Sequence, residues 1–63
     1  MDIEKIVTEF FKRRFPNKNI EFEKRCGYFQ EWVDRFNTGC PEKYMDNDSL
    51  MVYQQMIKDG VIN

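Results

Sequence analysis

Apolar residues recur at every third or fourth position in three stretches of this chain, and helix-stopping residues separate the stretches. In the first, Ile3, Ile6, Val7, Phe10 and Phe11 follow the spacing of one helical face, which predicts a helix over about residues 3–15. Asp2 stands where it can cap that helix, and Glu4 suits its positive end. Lys12, Arg13 and Arg14 suit the negative end. Pro16 stops the helix and drives Phe15 out of the α region, and Asn17-Lys18-Asn19 then reads as a turn.

The second stretch opens with Ile20-Glu21-Phe22-Glu23, whose alternation would also suit a short strand. The longer pattern favours a helix over residues 20–38, because Phe22, Cys26, Phe29, Val33 and Phe36 draw one heptad-like seam. Asn19 is a fair cap for it. Gly27 lies within the seam and weakens a helix by about 1 kcal/mol relative to Ala, so it marks either a break or a close backbone approach. Asn37-Thr38-Gly39 closes the helix, with Gly39 suited to a left-handed cap. A loop follows, with room for one helical turn at Pro41-Glu42-Lys43-Tyr44. A third helix, about residues 47–59, starts at Asp46 or Asp48, carries Leu50, Val52, Tyr53, Met56 and Ile57, and ends at Gly60. Val61 and Ile62 are expected to fold back on the core. The expected fold is all-α: residues 1–63 as one domain, a three-helix bundle.

The chain has 63 residues, and a domain of that size has little core to spare. Six Phe, three Tyr and one Trp supply it, each ring removing about 150–250 Å² from water when buried. That is more aromatic surface than one small core hides. Some rings are therefore expected at a surface or at an oligomer interface.

The absence of histidine removes the commonest acid–base group and the commonest metal ligand. Two cysteines cannot complete a four-ligand structural zinc site. Cys26, on the apolar seam, reads as a core residue, and Cys40 has no histidine to activate it. Asp46-Asn47-Asp48-Ser49 resembles the start of a calcium loop, but it lacks the loop glycine and distal glutamate; helix capping explains it better. No enzymatic activity, cofactor or metal is therefore expected. The start of the chain has no secretory apolar run, and no stretch is long and apolar enough for a membrane span. The expectation is a cytoplasmic protein with reduced thiols and no membrane contact.

Three functional readings remain open. The first is a protein-interaction module whose contact surface is Tyr28, Trp32, Arg35, Tyr44 and Met45, since Trp, Tyr, Arg and Met are enriched at interfaces. On that reading, alanine at Trp32 weakens partner binding and leaves thermal stability nearly unchanged. The second is nucleic-acid binding by Lys12, Arg13, Arg14, Lys18, Lys24 and Arg25, the one basic cluster, which brackets Phe15 and Phe22. The nearly even total, ten basic against eleven acidic residues, does not favour it. The third is a homodimer in which the surplus rings bury one another across a two-fold axis.

Residues Trp32, Arg35, Phe36, Gly39, Pro41, Glu42, Tyr44, Met45, Asp46, Ser49 and Tyr53 form a spaced pattern over about a third of the chain. In this pattern the chain resembles small uncharacterised proteins encoded by bacteriophages and prophages. The resemblance implies an accessory factor that binds a larger host or phage protein. It implies no active site.

Overall fold

The computed structural model describes residues 2–62. Among these the chain is all-helical, with α1 at Ile3–Arg14, α2 at Ile20–Cys26, α3 at Tyr28–Asn37, a 3-10 helix at Pro41–Tyr44 and α4 at Asn47–Lys58. The Asp2 carboxylate accepts the N–H groups of Glu4 and Lys5, satisfying two of the donors that a helix start leaves unpaired. Asn19 caps α2 by accepting from the N–H of Phe22, and Asp46 caps α4 by accepting from Ser49.

The expected three-helix bundle is replaced by four α-helices, because the second stretch breaks. Gly27 adopts φ +85°, a left-handed conformation that an α-helix cannot contain. It closes α2 and opens α3 in a single residue. The break resets the phase of the apolar seam. Phe29, Val33 and Phe36 of α3 are buried as the spacing required. Phe22 is instead 56% exposed and Cys26 is exposed, so neither belongs to the core. The residue that α2 buries is Glu23.

Helix α1 packs against both α3 and α4, α2 lies along α3, and the 3-10 helix rests on α3. Ile6, Val7, Phe10 and Phe11 of α1 meet Phe29, Val33 and Phe36 of α3 and Met56 of α4. Phe10 sits at the centre, fully buried, with the rings of Phe11, Phe15, Trp32 and Phe36 around it at centroid distances of 4.9–6.4 Å. Such offset and edge-on pairs add about 0.5–1.5 kcal/mol each beyond the area they bury. On α4, Val52 and Tyr53 pack against this cluster while Ile57 is exposed. Val61 and Ile62 fold back onto it, helped by the N–H of Val61 donating to the Met56 carbonyl.

Candidate interaction surface and aromatic cleft

Helix α3 buries one face and turns Tyr28, Trp32 and Arg35 towards its flank. The 3-10 helix, started by the buried Pro41, places Tyr44 beside them. The Arg35 guanidinium lies 4.7 Å from the Trp32 ring centroid and 5.4 Å from that of Tyr44. Arg35 also donates to the Glu31 carboxylate one helical turn back. Four groups from two elements therefore form one layered stack: indole, guanidinium, phenol and a carboxylate at the side. Each cation–π contact contributes about 0.5–1 kcal/mol at an exposed site.

Three of the five residues expected at the contact surface, Trp32, Arg35 and Tyr44, are thus held against each other. Tyr28 is 56% exposed and shares no ring or cation contact with a described residue. Met45 is half-buried and packs on the core below. Trp32 is not a free surface ring. It is half-buried, with its ring 4.9 Å from Phe10 and 6.4 Å from Phe36. The expectation that its removal leaves stability unchanged does not survive that packing.

On its other side Trp32 helps wall an open cleft of about 300 Å³, also lined by Phe11, Phe15, Lys18, Glu23 and Tyr28. Sequence reasoning did not single out Glu23. Its only signal was position: one residue after an apolar Phe22, it reads as the solvent side of a helix, and only the Gly27 turn reverses that.

Three of the six residues of the basic cluster are engaged in structural contacts. Arg13 pairs with Glu9 at 2.9 Å and with Asp59 at 2.7 Å. Arg14 donates to Ser49 Oγ and Asp46 Oδ2 and lies 4.8 Å from the Phe15 centroid. Lys24 lies 4.9 Å from the Phe29 centroid and 3.9 Å from Glu21. Lys12, Lys18 and Arg25 are exposed. Arg13 gains charge stabilisation from Asp59 and then Glu9, which raises its pKa above the usual guanidinium value.

No protein-family model matches the chain, and no solved structure does. The chain is similar to the UPF0283 membrane proteins of Histophilus somni strains 2336 and 129Pt, each 29% identical over 58 residues. The matched stretch covers 89% of this chain but 16% of each relative. This finding overturns two expectations. The likeness runs to a bacterial protein and not to phage-encoded ones, so the phage resemblance is set aside. The relatives are named as membrane proteins, so the assignment to the cytoplasm with no membrane contact is withdrawn as well. That assignment rested on the lack of an apolar span. Among the described residues no helix is long and apolar enough to cross a membrane, but this describes only the helices themselves.

Proposed function

We propose that this chain is a non-catalytic protein-interaction module that docks on a larger protein through the flank formed by α3 and the 3-10 helix. The observation that carries the reading is the Trp32–Arg35–Tyr44 stack. Ordering a long side chain at an interface costs about 0.5–1.5 kcal/mol. Arg35 is already ordered by two rings and Glu31, so a partner meets a pre-organised guanidinium edge beside exposed aromatic surface. Trp, Tyr and Arg are the residue types that most often dominate binding energy at interfaces. The similarity to a small part of much longer membrane proteins supports placing the partner at a membrane.

A photo-crosslinking amino acid at Lys43, exposed beside Tyr44, reads this surface without breaking the stack. In cells that express the protein, position 43 is expected to give one discrete heavier adduct. The same group at Gln54, exposed on α4, is expected to give none. Adding Arg35→Ala should abolish the adduct. No adduct from position 43, or the same products from both positions, overturns the proposal.

A further inference from the structure

We infer that the cleft bounded by the end of α1, α2 and α3 is a recognition site for an organic ammonium group, held by the Glu23 carboxylate and aromatic walls. The inference does not depend on the docking surface of Arg35 and Tyr44.

The argument begins with Glu23. It is 7% exposed, so more than nine-tenths of the residue is removed from water. Carboxylates are rarely that buried unless something pairs with them. Among the described residues, no hydrogen bond and no ion pair engages its side chain; the ion pairs use Glu9, Asp59, Asp46, Glu21 and Glu31. Yet no buried side-chain oxygen is left both sealed and unpartnered. Each carboxylate oxygen of Glu23 therefore keeps some contact with solvent, and Glu23 lines the cleft. A carboxylate that lines a cleft walled by apolar rings attracts a cation more strongly than one in open water does.

The walls suit the same ligand. Phe11, Phe15, Tyr28 and Trp32 line the cleft together with Glu23. Aromatic faces attract cations through the ring quadrupole, and cages of rings with a carboxylate are suited to alkylated ammonium groups. This molecule already uses its rings in that way: Arg14 lies over Phe15, Lys24 over Phe29, and Arg35 over Trp32 and Tyr44. Tyr28 has no such partner among the described residues. The volume, about 300 Å³, is at the small end of ligand sites and admits a compact headgroup. Lys18, exposed at the rim, forms no ion pair with Glu23. It is placed to meet an anion joined to the ammonium, which favours a zwitterion such as phosphocholine over a simple cation.

The test uses choline, phosphocholine and 3,3-dimethylbutanol, the last being an uncharged isostere of choline. Trp32 is the single tryptophan, so its fluorescence reports the cleft directly. Choline is expected to saturate a fluorescence change at millimolar concentration, phosphocholine to bind more tightly, and the neutral isostere to bind at least about tenfold more weakly. Glu23→Gln keeps the shape of the side chain and should lower choline affinity about tenfold. Its melting temperature, measured in parallel, shows that the fold is kept. Lys18→Ala should remove the advantage of phosphocholine over choline. Equal binding of choline and the neutral isostere, unchanged affinity in Glu23→Gln, or no response up to about 100 mM choline each overturns the inference. Vesicles carrying choline headgroups, compared with free phosphocholine, then separate a lipid source from a soluble one.

Discussion

Arg35 and Trp32 show how one side chain can belong to both core and surface. The indole meets Phe10 on one side and the Arg35 guanidinium on another, so its removal opens the core and unseats the stack together. Truncating a fully buried large ring to alanine costs about 3–5 kcal/mol, and half-burial lowers that to about 2 kcal/mol. A domain this small holds only about 3–5 kcal/mol in its core, so the loss is large. Trp32→Ala is therefore expected to lower the urea midpoint substantially, whereas Trp32→Phe, which keeps a ring against Phe10, retains most of it. A midpoint for Trp32→Ala within error of the parent shows that the ring contributes no packing. At this scale the sequence was informative about residue type, but not about depth. Trp32 lies outside the seam of Phe29, Val33 and Phe36 that the spacing draws, yet its indole is long enough to reach the core from the side.

At the level of elements, the Gly27 turn decides the architecture. Nothing lies within 4 Å of the position that a Cβ would occupy at Gly27, so a side chain there meets no steric obstacle. The cost of substitution is then conformational alone, about 1–2 kcal/mol for an L-residue held in the left-handed region. Gly27→Ala should destabilise the protein by that amount, with native circular dichroism retained below the transition. An unchanged or raised melting temperature implies that α2 and α3 have fused into the single helix that the heptad spacing suggests. The caps Asp2, Asn19 and Asp46, the 3-10 turn at Pro41 and the stripe of α1 were legible, because each depends on neighbours within four residues. The phase of α2 was not, because it depends on how one glycine turns the chain. The cleft was lost with it: with Phe22 and Cys26 assigned to the core, Glu23 pointed to water, and no local signal contradicted that.

Over the whole molecule, two adjacent arginines at the end of α1 hold both ends of α4. Arg13 reaches Asp59, the residue that closes α4, and Arg14 reaches Asp46, the residue that caps it. The Asp46 carboxyl is held below its usual range by the Ser49 N–H, then the Ser49 hydroxyl, then Arg14. That of Asp59 is held below its range by Arg13 and Gln55. A carboxylate whose pKa is lower in the folded state than in the unfolded chain takes up its proton later when folded. Its contribution is therefore complete above the unfolded value, near pH 4, and is lost as the pH falls through the lower folded value. The parent protein should accordingly show a melting temperature that declines below about pH 4. In Asp59→Asn the protonated and unprotonated states no longer differ at this contact. That variant should be less stable at neutral pH and should lose less on acidification, so the two curves converge in acid. High salt should produce part of the same convergence at neutral pH, since both pairs face water and are screened there. Parallel curves for parent and variant across this range would mean that Asp59 has the same proton affinity folded and unfolded, and that its pair with Arg13 adds nothing to the hold of α1 on α4, which then rests on the Arg14 contacts to Asp46 and Ser49 and on the apolar packing of Met56, Val52 and Tyr53.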